Sequence, residues 1–192
     1  TLYYLETMPL QDGLKPILSL MPTPGDVDVV MAAEFMEAGR SILRGLVTPD
    51  RTTMIASNHR SFAVIEKIAP ADGVADSGAV LAALGVAAKK EIVFDMDALA
   101  AREGSVISAA MFGALAASGA LPFSTGAFRA IVEASDAGAA ASPRAFEAAL
   151  AEAGASGDLV LADTREQVAS LNAAIREQRQ GAANDVALVT AR

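Results

Sequence analysis

Residues 27–57, VDVVMAAEFMEAGRSILRGLVTPDRTTMIAS, decide the fold of this chain. Residues 27–32 are almost wholly apolar, which is typical of a strand that is covered on both faces of a parallel sheet. Residues 34–44 follow with helical spacing of their apolar side chains, and Gly45 is suited to end that helix. Residues 52–57 form the next strand. A strand, a helix and a strand within about thirty residues predict a βαβ unit.

Similar patterns extend along the rest of the chain. Further strands are predicted at residues 2–6, 16–20 and 91–95. Further helices are predicted at residues 77–89, 97–102, 105–119, 125–134, 142–153 and 163–180. The sequence therefore predicts an α/β fold, a Rossmann-like domain of three layers with a largely parallel sheet and a helical C-terminal part. We expect one domain over residues 1–154 and a helical extension over residues 155–192.

Composition narrows the classes of function. The chain has 192 residues and a formal net charge of −8, without a basic run, so we expect no nucleic-acid partner. Cysteine is absent, so this chain supplies no thiolate ligand for an iron–sulfur cluster or a zinc ion. His59 is the single histidine, which makes a histidine-rich metal site impossible. An electron carrier would therefore sit on another chain or be a bound organic cofactor.

The uncharged stretch at residues 105–124 is long enough to span a bilayer. It consists mostly of Ala, Gly and Ser and contains Pro122, so a buried helix that ends near Gly119 explains it better. No signal peptide is visible, and we expect a cytoplasmic protein that does not contact a membrane. The strand-like run that begins at Thr1 leads us to expect that the chain starts in the middle of a domain.

Candidate functional residues lie where predicted parallel strands end. Ligands and partners of open parallel sheets meet at the carboxyl ends of the strands. Those ends carry Glu34, then Asn58, His59 and Arg60, and then residues 95–97. We predict that the first four of these side chains form an interface or ligand edge. Two simpler interpretations stay open, because a glutamate can cap its own helix and a strand-end His–Arg pair can face solvent or bond to backbone.

No familiar catalytic motif accompanies these residues. The sequence contains no GxGxxG after a strand, no GxxxxGK[ST] and no GxSxG. A Ser/His/Asp triad would have to use His59, and nothing marks a partner serine. Arg60 beside Asn58 could hold a carboxylate or a phosphate. We predict no catalytic residue and no metal site on this chain.

Several segments resemble one enzyme family. Residues 24–30 (PGDVDVV), 34–40 (EFMEAGR) and 44–53 (RGLVTPDRTT) are similar to the γ-type domain of the pyruvate/ketoisovalerate oxidoreductase family. The resemblance is closest to β subunits of indolepyruvate ferredoxin oxidoreductases and runs from residue 1 to about residue 150. It continues through further segments, residues 55–60 (IASNHR), 104–107 (GSVI), 112–116 (FGALA) and 119–123 (GALPF).

The resemblance implies an assembly. Enzymes of this family oxidatively decarboxylate 2-oxoacids with thiamine diphosphate, pass electrons through iron–sulfur clusters towards ferredoxin, and form acyl-CoA. The thiamine and the clusters belong mainly to other subunits, so this chain would be an accessory subunit without its own cofactor. Family domains usually have a strand and a glycine-rich loop ahead of a segment like residues 1–9, and that start is missing here. No catalytic residue is carried over.

Two other functions remain as alternatives. One is a free-standing Rossmann-like domain that binds a nucleotide cofactor, which the missing glycine fingerprint disfavours. The other is a purely structural interaction module. The predicted helix at residues 163–180 carries a narrow apolar stripe of Val168, Leu171 and Ile175, which could cover the domain or pack on a partner.

Overall fold

A parallel sheet forms the centre of the fold. The computed structural model describes residues 2–7, 17–61, 76–135 and 140–156. Within these residues the sheet has three strands in the order of their labels, β1 (Val29–Ala32), β2 (Thr53–Ser57) and β3 (Lys90–Phe94). Ile55 of β2 lies opposite Met31 on one side and Ile92 on the other. All five residues of β2 are buried, because the strand has a neighbour on each side and helices on both faces.

Helices cover both faces of the sheet. In the described part of the chain they are α1 (Phe35–Leu43), α2 (Ser77–Ala87), α3 (Met96–Arg102), α4 (Ile107–Ser118), α5 (Thr125–Glu133) and α6 (Ala141–Ser156). Met54 and Ala56 of β2 pack in one cluster with α1 and α2, whereas Ile55 packs in another with α3, α4 and α6. Successive residues of a strand point to opposite faces, so one strand serves both clusters. The prediction of a three-layer α/β fold is confirmed.

Helix α4 is central, as its nearly uncharged sequence predicts. It contacts α3, α5, α6 and β2. A Cβ atom at Gly113 would collide with the carbonyl oxygen of Phe146 and would lie 3.1 Å from the amide nitrogen of Leu150, so α4 and α6 meet backbone to backbone. The helix ends at Gly119, whose φ of +65° is strained for any other L residue.

Aromatic rings hold α5 against this pair of helices. The ring of Phe112 lies 5.1 Å from that of Phe128 and 6.0 Å from that of Phe146, measured between centroids. At the surface, Arg129 of α5 forms a two-pronged ion pair with Glu147 of α6. The ring contacts therefore join α4 to both α5 and α6, and the ion pair joins α5 to α6 directly.

Some predicted elements are wrong. Residues 2–7 and 17–19 have no regular secondary structure, and large apolar side chains there, such as Leu5 and Ile17, are exposed. Strand propensity is realised only where a neighbouring strand and a packed face are available. The strand predicted at residues 27–32 begins at Val29 and is only partly covered, because β1 has a single neighbour among the described strands.

Boundaries at the C-terminal side also differ. Helix α6 begins at Ala141, one residue before the predicted start, and Ser142 and Pro143 occupy its first turn, where proline is tolerated. The helix runs to Ser156, two residues past the predicted domain boundary. The helix predicted at residues 163–180 lies outside the described residues. No helix among the described residues has both the length and the hydropathy that crossing a membrane requires.

Candidate functional site

The carboxyl ends of β2 and β3 and the start of α1 meet, as predicted. The backbone N–H of Phe35 donates to the carbonyl oxygen of His59 at 3.2 Å. The N–H of Asn58 donates to the carbonyl oxygen of Phe94 at 3.1 Å. The end of β2 is thus attached to α1 on one side and to β3 on the other, which brings the candidate side chains to one edge of the sheet.

Glu34 and Arg60 connect three elements at this edge. One carboxylate oxygen of Glu34 accepts from the Met36 N–H at 2.9 Å and caps α1. The other accepts from the Ser61 N–H at 3.3 Å and lies 3.4 Å from Arg60 Nε. Arg60 also donates to the Ser77 hydroxyl at 2.8 Å, at the start of α2. The side chains of Glu34 and Arg60 are only 17% and 13% exposed. Glu34 thus caps its own helix, which is one of the interpretations left open above.

Ser57 and His59 form a second hydrogen-bonded group at this edge, and it was not predicted from the sequence. The Ser57 hydroxyl lies 2.9 Å from His59 Nδ1 and accepts from the Met96 N–H at 3.0 Å. The hydroxyl oxygen therefore bonds at once to the imidazole of His59 and to the first turn of α3. Residues two apart in extended chain share a face, and this spacing was the signal in the sequence.

The Ser57–His59 pair is arranged for structure rather than for nucleophilic catalysis. Ser57 is 0% exposed, so a substrate cannot reach its oxygen, and Met96 already occupies that oxygen. In a catalytic serine–histidine pair, the histidine would take the proton from an accessible hydroxyl beside a substrate. Here the serine instead connects the end of β2 to the start of α3.

Carboxylates of the chain itself cap the helices that follow all three strands. Besides Glu34 on α1, Asp76 accepts from the Gly78 N–H at 2.8 Å on α2. Asp95 accepts from the Ala98 N–H at 2.8 Å on α3. Helix N-termini at this edge are where α/β folds usually bind phosphate. Here the three carboxylates already accept from N–H groups at the helix N-termini, and their negative charge repels an anion. A phosphate contact at Arg60 is therefore disfavoured.

Exposure divides the four candidate residues into two kinds. Asn58 is exposed, as are Asp95 and Asp97 beside it, whereas Glu34, His59 and Arg60 are half-buried. The edge therefore consists of a hydrogen-bonded network below an accessible, acidic rim. Such a rim suits contact with a protein better than contact with a nucleotide phosphate.

The opposite edge of the sheet is held by a different contact. Arg51 donates to Asp28 at 2.8 Å and also pairs with Asp26, which fixes the loop that leads into β1. Within the described residues, no three His, Asp or Glu side chains lie together as they would around a metal ion. Comparison of the chain with protein-family models, with curated proteins and with solved structures gives no match.

Proposed function

We propose that this chain is an accessory subunit or domain of a 2-oxoacid:ferredoxin oxidoreductase, with indolepyruvate as the substrate of the assembly. A partner would hold thiamine diphosphate and the iron–sulfur clusters and would form the acyl-CoA. The resemblance of residues 24–53 to the γ-type domain is the source of the family assignment. The accessory role is supported by one observation. The side chains at the strand ends bond to each other and to helix N-termini, which leaves them engaged in structural contacts.

The chemistry of these side chains supports an accessory role. Glu34 caps α1 and pairs with Arg60, and the oxygen of Ser57 already accepts from Met96. None of the three is left as an accessible acid, base or nucleophile for a substrate. The chain also contains no cysteine, so electrons would have to travel through clusters held by the partner.

A nucleotide-binding domain is the second candidate. The α/β fold favours it in general, since many domains of this architecture bind nucleotides at the carboxyl edge. The carboxylate caps Glu34, Asp76 and Asp95 argue against it here, because they occupy helix N–H groups that a phosphate would need. We therefore rank the accessory subunit first.

Purification from the natural host tests the proposal. The full chain would carry an affinity tag and be isolated under gentle conditions for native mass spectrometry and for thiamine, iron and sulfide analysis. We expect a larger complex that contains all three and that reduces an acceptor dye when indolepyruvate and CoA are added. A chain isolated alone, or with partners that carry neither thiamine diphosphate nor clusters, would contradict the proposal. A lone chain with a bound nucleotide would support the second candidate.

A further inference from the structure

The outer face of α2 is apolar although it is exposed. The helix contains no charged residue, and seven of its eleven residues are exposed. Leu81 is 51% exposed and Val86 is 78% exposed. Only Val80, Leu84 and Ala87 pack towards the sheet. A helix at a water-facing surface normally carries polar side chains there, so this face is suited to contact with protein.

The apolar surface continues from α2 onto α1. An open groove of about 280 Å³ runs between the two helices, and its lining includes Met36, Leu43, Ala79 and Ala83. Leu43, at the end of α1, is 88% exposed. The two helices therefore present one continuous apolar surface rather than isolated side chains.

Charges mark the two ends of this surface with opposite sign. Asp76 lies just before α2 and Lys89 lies just after it, and both are exposed. Helices α1 and α2 each connect parallel strands, so they run in the same direction and end at the same edge of the sheet. Exposed Arg44 at the end of α1 thus lies at the Lys89 end. Along α2, one end is acidic, the middle is uncharged and the other end is basic; on α1, the groove is also lined by Arg40, which is paired with Glu37.

Such a surface is complementary to itself after a half turn. A two-fold axis that runs between two copies of α2, perpendicular to them and level with the middle of each helix, would set Asp76 of one copy near Lys89 of the other. A parallel arrangement would bring like charges together, which is unfavourable at an interface. Gly78, Ala82 and Gly85 lie along the outer line of the helix, so two such helices can approach closely.

We propose that the α1–α2 face is an interface between two copies of this chain, with α2 antiparallel to its counterpart and Ala82 close to the two-fold axis. Two-fold dimers in which the same patch meets itself are the commonest homo-oligomers. The exposed apolar residues supply the contact, and the charged ends set its direction. This inference does not rest on the proposed function, since it requires no other subunit.

Disulfide crosslinking tests both the contact and its direction, because the chain has no cysteine of its own. Ala82→Cys in the full chain should give a covalent dimer on mild oxidation, whereas Ala130→Cys, on the exposed side of α5, should not. A mixture of Ala79→Cys and Val86→Cys chains should crosslink to each other. Each alone should not, since antiparallel packing separates identical positions by roughly 9–12 Å along the helix axis.

Sedimentation equilibrium supplies an independent measurement. Val86→Glu should raise the dimer dissociation constant at least about tenfold, whereas Ile131→Glu, at another exposed apolar position, on α5, should leave it unaltered. A monomeric parent chain whose Ala82→Cys thiol reacts freely with maleimide would overturn the proposal in favour of a different protein partner. A monomer whose thiol is protected would overturn it in favour of cover from the same chain. Self-crosslinking of Ala79→Cys would overturn the antiparallel arrangement.

Discussion

At the scale of single residues, the Glu34–Arg60 pair differs from an ordinary surface ion pair because both side chains are largely buried. Removal of one partner leaves the other charge poorly solvated. We predict that Arg60→Ala lowers the free energy of unfolding by roughly 2–4 kcal/mol, somewhat less than for a fully buried pair. The interpretation that Arg60 simply faces solvent is therefore wrong. Urea unfolding measures the difference.

Arg40 provides the matched control for Arg60. It pairs with Glu37 on the outer side of α1, where both side chains are about half exposed. Exposed pairs of this kind stabilise proteins little, so Arg40→Ala should change stability by less than about 1 kcal/mol. Equal losses for the two alanine variants would mean that the Glu34–Arg60 pair is solvated in solution.

Ser57 gives a second residue-scale prediction. Ser57→Ala removes the oxygen that accepts from the buried Met96 N–H, and an unsatisfied buried donor costs about 1–3 kcal/mol. Ser41→Ala is the control, because the buried Ser41 hydroxyl only donates to the Ala38 carbonyl within its own helix. Denaturant unfolding should show a clear loss for the first variant and a change below about 0.5 kcal/mol for the second. Similar values would indicate that Met96 finds another acceptor.

At the scale of elements, the close approach of α4 and α6 depends on Gly113. A methyl group there meets backbone atoms of Phe146 and Leu150, which cannot move as a side chain would. We predict that Gly113→Ala lowers the free energy of unfolding by about 1–3 kcal/mol despite its better helix propensity. Gly154→Ala in α6 meets no atom within 4 Å and should raise stability by up to about 1 kcal/mol. Thermal unfolding of both variants distinguishes packing from propensity.

The ion pair between α5 and α6 makes part of the stability depend on pH. Arg129 donates to Glu147 and lowers the pKa of that carboxyl below its ordinary 4.5. A carboxyl whose pKa is lower in the folded state stabilises the fold above its ordinary pKa, and this contribution is lost as pH falls through the lowered value. Glu147→Gln should therefore be less stable than the parent near neutral pH and should approach it in acid. Unfolding series across that range give the comparison.

Glu91 should show the opposite dependence. Burial raises the pKa of Glu91 above its ordinary 4.5, so the folded state favours the protonated carboxyl. Its effect on stability becomes less favourable as pH rises from the ordinary value through the raised one. Glu91→Gln should accordingly gain stability relative to the parent towards neutral pH. Profiles that change in the same direction for the Glu147 and Glu91 variants would contradict one of the two assignments.

Elements with a regular apolar period could be predicted from the sequence, and features that depend on distant neighbours could not. The apolar spacing in residues 34–44 identified the inner side of α1, where Phe35 and Ala38 are buried, because a helix determines its own faces. The hydrogen bond from Met96 to Ser57 joins residues 39 apart, which no local pattern encodes. The partial exposure of β1 depends on which strands pair with it, and that is also a tertiary property.

At the scale of the whole molecule, the acidic rim at the carboxyl edge and the loop at the amino edge should behave differently in an assembly. Asn58 is exposed beside Asp95 and Asp97, above the network of Glu34 and Arg60. An arginine at this position would add bulk and reverse the local charge without disturbing a buried group. We predict that Asn58→Arg leaves the stability of the chain unchanged and, if the proposed function holds, weakens association with the proposed thiamine diphosphate subunit at least about tenfold, which corresponds to about 1.4 kcal/mol.

Asp50→Arg is the control for this prediction, because Asp50 is exposed in the turn before β2, at the opposite edge of the sheet. Asp50→Arg enlarges the side chain as much as Asn58→Arg does and changes the net charge by more. A general electrostatic effect on association would therefore be stronger for Asp50→Arg. Co-purification from the natural host, with thiamine and iron content as the readout, compares the two variants. Loss of the partner with Asp50→Arg alone would move the interface to the amino edge, where Arg51 holds Asp26 and Asp28. Loss with Asn58→Arg alone would support the carboxyl edge as the surface that meets the catalytic partner.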